Sequence, residues 1–354
     1  MKGLDNDERT AFVFGLGPWR RHLRRWLPHR RIYRFSRQLG YGAFHAFCAP
    51  LIRLHRNPEV VVWGYKHPDF LPDFCERHGI PLLRVEDGFL RSVALGRQGA
   101  PPLSLCLDRL GLYFDPTRPS DLERILETHD FAADRPLMQR AEHGLKRLLD
   151  SRLSKYNAAP DVDIERLYGP KTRRRILVLG QVEGDMSLVK GLRAKIDNNE
   201  LVRIAVRENP QAQVIYKPHP EVLHRTRKDA SQSHPDAVRD ICRVLDEDVA
   251  LADALETVDH VYTMTSLSGF EALIRGIAVT CLGAPFYAGW GATDDRQPCP
   301  RRTARRTPLE IFAAAYILYP RYFDPVTGER VELEPALESL ASLRGSHFDL
   351  TPLN

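Results

Sequence analysis

Four short runs place side chains able to bind or move charge just beyond apolar stretches. Glu86-Asp87-Gly88 follows IPLLRV. Two adjacent carboxylates ahead of a glycine offer a general base or a nucleophile that a substrate can approach closely. Gln181-Val182-Glu183 follows RRRILVLG, and alternation puts Gln181 and Glu183 on one side if the chain stays extended. Lys217-Pro218-His219-Pro220 follows QVIY. Its prolines stiffen the loop, so Lys217 and His219 have little entropy to lose on binding a phosphate or protonating a leaving one. Thr265, Ser266, Ser268 and Gly269 open a helix in which Phe270, Leu273 and Ile274 recur at i, i+3 and i+4. Free N–H groups and the helix dipole at such a start favour an anion, and Glu271, one turn further in, is placed to accept from sugar hydroxyls. Ordinary turns and caps use the same residue types, so each run alone has a purely structural alternative.

The elements that position these runs read as strands and helices in alternation. AFVFGLG (11–17), EVVVWGYK (59–66) and IPLLRVEDGFLRS (80–92) are strand-like, and a short helix ends across Asp73 to Gly79. PPLSLCLD follows. Ser120 and Glu123 then form a capping-box pattern ahead of a mostly helical stretch over 121–156. Residues 157–174 are polar, with two prolines and a basic cluster, and place a linker at 161–172. A second series begins at RRRILVLGQVEGD (173–185). It continues through a helix NELVRIAVRE stopped by Pro210, a strand QVIYK, a strand at DHVYT and a strand IAVTCLG. PLEIFAAAYILYP (308–320) reads as an amphipathic helix. The pattern predicts an α/β protein of two Rossmann-like domains facing across a cleft. These are an N-terminal domain over 1–160, a C-terminal domain over 173–305, and a C-terminal helix and tail over 306–354 that packs back on the first.

A chain of 354 residues with 43% hydrophobic and 27% charged content is a soluble globular protein with room for two cores. No apolar run has the roughly 18 residues of a spanning helix, and the polar start MKGLDNDERT is unlike a secretory signal. Six scattered cysteines without a CxxC pair read as reduced thiols in a cytoplasmic protein. Residues 1–60 hold 12 Lys/Arg against 4 Asp/Glu, a balance of +8, against +5 for the whole chain. Most of that excess lies in WRRHLRRWLPHRRIYR (19–34), read as a basic helix that Pro18 opens. Its arginines alternate with Trp19, Leu23, Trp26 and Leu27, which suits peripheral contact with an anionic membrane. No nucleic-acid recognition motif accompanies the charge.

The longer strings are more specific. EDG, then HP, then a Ser/Thr-rich turn is the motif order of bacterial transferases that use CMP-activated acidic sugars. RVEDGFLRS, YFDPTRPSDLE, LSKYN, GQVEGD, NPQAQVIYKPHPEV, TSLSGFEALIRG, PFYAGWGATDDR and LYPRYFDPVTG closely resemble the retaining β-Kdo transferases of Gram-negative capsule synthesis, Kdo being 3-deoxy-D-manno-oct-2-ulosonic acid. The likeness runs from about residue 12 to about residue 330, the length of one module of enzymes that often carry two.

That resemblance implies a GT-B-like arrangement, CMP-β-Kdo as donor, and a lipid-linked or polysaccharide acceptor. It makes Asp87 the nucleophile or base, supported by Glu86, Gln181 and Glu183. His219 would contact the CMP phosphate, Thr265, Ser266, Ser268 and Gly269 would hold it, and Glu271 would take the ribose. Lys217, Arg91, Tyr287 and Trp290 are further candidates for carboxylate or stacking contacts. A covalent Asp87 adduct would give retention and simple deprotonation inversion; the residues leave this open, and the resemblance favours retention. No metal site stands out. Thr293-Asp294-Asp295 comes nearest but sits beside Arg296, so no metal or other cofactor is expected. A sialyltransferase-like enzyme, or a non-catalytic nucleotide- or glycan-binding subunit of capsule assembly, are the alternatives.

Overall fold

A computed structural model describes residues 9–17, 22–93, 102–157, 162–223 and 233–345. Its strands are β1 (Thr10–Phe14), β2 (Arg31–Phe35), β3 (Pro58–Trp63), β4 (Leu82–Asp87), β5 (Ser104–Asp108), β6 (Arg175–Leu179), β7 (Gln213–Lys217), β8 (Arg243–Val244), β9 (His260–Thr263), β10 (Ala278–Cys281), β11 (Asp294–Asp295), β12 (Pro320–Phe323) and β13 (Arg330–Val331). They form two sheets, ordered β13-β12-β5-β4-β3-β1-β2 and β11-β10-β9-β6-β7-β8. The second sheet is wholly parallel. The first is mixed: β2, β1, β3 and β4 run parallel, whereas β5, β12 and β13 join in antiparallel pairings.

The inner strands are apolar on both faces because both are covered. Phe12, Phe14, Val60 and Val62 pack with Phe44, Ile52 and Phe74 on one side. Ala11, Val13, Val61, Leu83 and Val85 pack with Leu23, Trp26 and Phe323 on the other. In the second sheet, Ile176, Val178 and Val214 meet the helix Asn198–Glu208. The largest cluster draws on both sheets, joining Phe89 and Cys106 to Leu177, Ile215, Val261 and Phe270 through Phe312 and Tyr316.

Three local expectations are corrected. The basic segment is not one helix: within its described part only Leu23–Trp26 is helical, and Arg31–Phe35 is the edge strand β2. Pro28 disfavours helix in the residue before it, and His29 adopts φ 62°. Leu23, Trp26 and Leu27 are buried rather than turned to a membrane, with the Trp26 ring 6.3 Å from that of Trp63. Trp19 lies outside the described residues. The segment from Pro308 is no amphipathic helix either. It passes from α-helix into a π-turn over Ala313–Leu318, Tyr319 N–H bonding Ala314 C=O at 3.0 Å, and its Ile311–Tyr316 portion is buried all round. At Ser120 only half of the capping box forms. Ser120 Oγ accepts from Glu123 N at 3.0 Å, but the Glu123 carboxylate pairs with Arg301 and Arg302.

Candidate active site

β4 ends in Glu86 and Asp87 between β3 and β5, and the chain then turns sharply. Gly88 makes the turn possible, since a Cβ there would fall 2.8 Å from Ser104 Cβ. The turn brings Arg91 back onto its own strand. Its Nε donates to Asp87 Oδ2 at 2.8 Å and its Nη1 to Ser92 Oγ at 3.0 Å, and Arg91 is 2% exposed. Asp87 Oδ1 is buried without a hydrogen-bond partner among the described residues. Tyr113 Oη donates to the Asp87 carbonyl at 3.3 Å.

Glu86 Oε1 accepts from Asp87 N at 3.1 Å. Burial, and then the negative charge of Asp87, push the Glu86 carboxyl up to about 7. Gly64, at φ 51°, borders it closely, because a Cβ there would meet Glu86 Oε2 at 2.8 Å. Lys155 completes the group. Burial opposes its charge, but Tyr113, Tyr156, Asp87 and Glu86 together hold the ammonium above the ordinary lysine range. Its carbonyl accepts from Arg91 N at 3.2 Å and from Ser92 N at 3.4 Å.

Lys155 also links the two sheets. Its N–H donates to Glu271 Oε1 at 3.2 Å, from the helix Leu267–Leu273 behind β9. Glu271 is 2% exposed, its Oε2 lacks a hydrogen-bond partner among the described residues, and Arg275 Nη1 stands 3.9 Å away. Burial outweighs Arg275 and Lys155 and pushes this carboxyl to about 7 as well. The acid expected to meet ribose thus sits at a junction with the Lys155 loop.

The other residues singled out in the sequence gather at the ends of β6, β7 and β9. Gln181 and Thr265 clasp each other: Thr265 N donates to Gln181 Oε1 at 2.8 Å, and Gln181 Nε2 to Thr265 Oγ1 at 3.0 Å. Glu183 is engaged with Asn198, whose Nδ2 donates at 3.0 Å, and with Ser233. His219 Nδ1 accepts from Glu221 N at 3.1 Å, which leaves Nε2 to carry the proton of a neutral ring. Burial holds the Lys217 ammonium below its ordinary range, Asp248 opposing. Ser266 Oγ caps Ser268 N at 3.2 Å and its carbonyl receives Gly269 N at 3.1 Å, so the cap itself uses two of the N–H groups expected to face an anion.

Tyr287 and Trp290 depart from expectation. They are 0% and 1% exposed, so neither stacks on a sugar. Tyr287 Oη donates to Ser266 C=O at 2.5 Å, steadying the helix start, and Gly269 gives that hydroxyl room. Trp290 Nε1 donates to Phe286 C=O at 2.8 Å beneath the Arg302 guanidinium. Asp294 is bound to Thr280 and Arg296, and Asp295 to Thr293 and Gly289 N. Among the described residues no group of three or more His, Cys, Asp or Glu is arranged around a metal position. Sequence reasoning missed Lys155 and Tyr113. Lys155 lies within LSKYN, the one signal that pointed to it.

The chain resembles known proteins over nearly all its length. It is 47% identical over 332 residues to the lipopolysaccharide-processing protein LpsZ of Rhizobium meliloti, covering 93% of this chain and 73% of that one. It is 37% identical over 297 residues to the capsule polysaccharide modification protein LipA of Neisseria meningitidis serogroup B, covering 80% of this chain but 41% of LipA. Among solved structures, the β-Kdo 2,4 transferase of Thermosulfurimonas dismutans KpsC matches with a TM-score of 0.80 at 37% identity, over 94% of this chain and 98% of that one. Its β-Kdo 2,7 transferase matches with a TM-score of 0.72 at 30% identity, over 95% and 99%. The model of the capsule polysaccharide biosynthesis protein family matches residues 58–322, three quarters of the chain, and the chain belongs to that family.

Proposed function

We propose that this protein is a glycosyltransferase that moves Kdo from CMP-β-Kdo to a lipid-linked or polysaccharide acceptor with retention. The two sheets are then the cores of two domains, one over 1–160 completed by the returning strands β12 and β13 and the other over 173–305, that face each other in the GT-B manner. The observation that carries the reading is the Asp87 carboxylate: Oδ2 is fixed by Arg91, while Oδ1 is buried and unpartnered beside an acid poised near neutrality. The likeness to the KpsC transferases supports the choice of sugar.

In this mechanism Asp87 Oδ1 attacks the anomeric carbon, the bond from that carbon to the phosphate oxygen breaks, and CMP leaves with the electron pair. Lys217, His219 and Ser268 meet the growing phosphate charge, which they stabilise more in the transition state than before it. The acceptor hydroxyl then attacks the same carbon, its proton passes to ionised Glu86, and the Asp87 ester bond breaks. Two displacements retain configuration. Gln181 and Thr265 hold the donor loops together, and no step needs a metal. Contact with an anionic membrane runs through the basic edge around β2 and the adjoining helical run Tyr41–Leu54. NMR of the product from CMP-β-Kdo and a short Kdo acceptor reports both anomer and linkage. An inverted product, or CMP release with CMP-sialic acid alone, would overturn the assignment.

A further inference from the structure

We infer that Arg84 and His67 form a subsite for the carboxylate and a neighbouring hydroxyl of an acidic sugar, the acceptor of the transfer. Arg84 is 4% exposed, and its Nε is buried without a hydrogen-bond partner among the described residues; so is Nε2 of His67. These two atoms are complementary. His67 Nδ1 lies 2.9 Å from the Pro68 carbonyl and so carries the ring's proton, which leaves Nε2 of the neutral ring as an acceptor. Burial keeps that ring below the ordinary histidine range, with Arg84 and Arg118 adding to the effect against Asp69 and the Pro68 carbonyl. The site thus offers an unmet cationic donor and an unmet neutral acceptor. A buried polar group without a partner is unfavourable, and a persistent pair marks a place where a ligand supplies what is missing. A carboxylate satisfies the guanidinium and a hydroxyl satisfies the imidazole. A phosphate diester satisfies only the first.

Position supports the acceptor as the occupant. Arg84 precedes Glu86 by two residues on β4, so the two side chains share a face about 7 Å apart along the strand, roughly the width of one sugar ring. His67 and Tyr65 sit on the tight turn that follows β3, where Lys66 N donates to Trp63 C=O at 2.8 Å and His67 N to Tyr65 C=O at 3.0 Å. Tyr65 Oη is tied to Asp115, which holds the turn. From the second sheet's side, Lys190 Nζ lies 5.4 Å over the Tyr65 ring, so this cluster borders the junction of the halves. A sugar held by its carboxylate at Arg84 presents a hydroxyl toward Glu86.

The identity of the acid rests on the transferase reading; the carboxylate site does not. The test is calorimetric binding to the full chain of the methyl β-glycoside of Kdo, of its C1 carboxamide, and of inorganic phosphate, with CMP binding as the check of folding. The acid should bind at least ten-fold tighter than the amide. Arg84→Met should erase that preference, and His67→Gln, on the turn after β3, should weaken the acid several-fold. Equal binding of acid and amide by the native chain, a preference surviving in Arg84→Met, or binding of phosphate but not the acid would overturn the proposal. Failure to release CMP from CMP-β-Kdo would instead sink the donor assignment and leave the acid–amide comparison valid.

Discussion

Arg91 Nε lies 2.8 Å from Asp87 Oδ2, four residues back along the same chain, and this one contact decides which oxygen of the carboxylate is available. In the proposed mechanism the nucleophile, held at one oxygen, attacks with the other, so the pair sets a direction as well as a charge.

Replacing Asp87 by Asn should therefore lower transfer by about three orders of magnitude or more while CMP still binds, as expected when a covalent catalyst is removed. It also removes the carboxylate charge that Asp87 offers to buried Arg91. Loss of one partner of a buried pair costs about 3–5 kcal/mol, and Asp87 is partly exposed, so a loss near the lower end is expected. Steady-state kinetics and urea unfolding measure the two effects separately. Unchanged transfer would remove Asp87 from the reaction.

In the proposed mechanism Glu86 gives the reaction a pH dependence. As a base it works ionised, so kcat/KM should rise with pH through about 7, the value to which burial and Asp87 push it. Glu86→Gln should abolish that limb. Lys155 lowers the same carboxyl, so Lys155→Met should move the limb to higher pH. A limb that stays in place in Lys155→Met would show that Lys155 does not act on Glu86.

Glu271 makes the opposite demand on stability. Its carboxyl titrates near 4.5 when unfolded and is pushed to about 7 in the folded protein. Between those values the folded state holds more protons than the unfolded one, so its share of stability is present below about 4.5 and is lost as pH rises through about 7. Urea unfolding across that window should show a decline, and Glu271→Gln should make it shallower. An equal slope in both proteins would mean that the buried acid is already satisfied.

The basic edge changes the membrane expectation. Leu23, Trp26 and Leu27 are committed to the core, whereas Tyr41, Phe47 and Leu54 are 60%, 77% and 81% exposed, close in sequence to exposed Arg37, Arg53 and Arg56. No helix among the described residues is long and apolar enough to cross a membrane. Binding to phosphatidylglycerol vesicles should fall steeply between low salt and about 0.5 M salt, where screening is nearly complete, and Phe47→Asp should weaken it several-fold. Equal binding to phosphatidylcholine vesicles would exclude the electrostatic part.

Much of this was legible in the chain, because strands covered on both faces announce themselves as runs such as VVV and ILVL, and the polar residues just past them fall at the sheet ends. Glu86, Asp87, Gln181 and Thr265 were found in that way. Lys155, Arg84 and His67 were not, since what singles them out is the set of partners they have or lack after distant segments meet. Tyr287 and Trp290 misled for the same reason: an aromatic in a Gly-rich turn has the composition of a stacking platform, and only packing decides whether its face stays open. The antiparallel return of β12 onto β5 was likewise invisible, being a pairing between residues more than 200 positions apart.

That return has a practical corollary. The polypeptide departs from its first sheet after β5, builds the whole of the second, and comes home to cover the strand it left. A single cut cannot release either half intact. A truncation before residue 320 would bare the flank of β5 and invite aggregation, while the second half could be excised, transplanted or permuted only by severing two crossings at once.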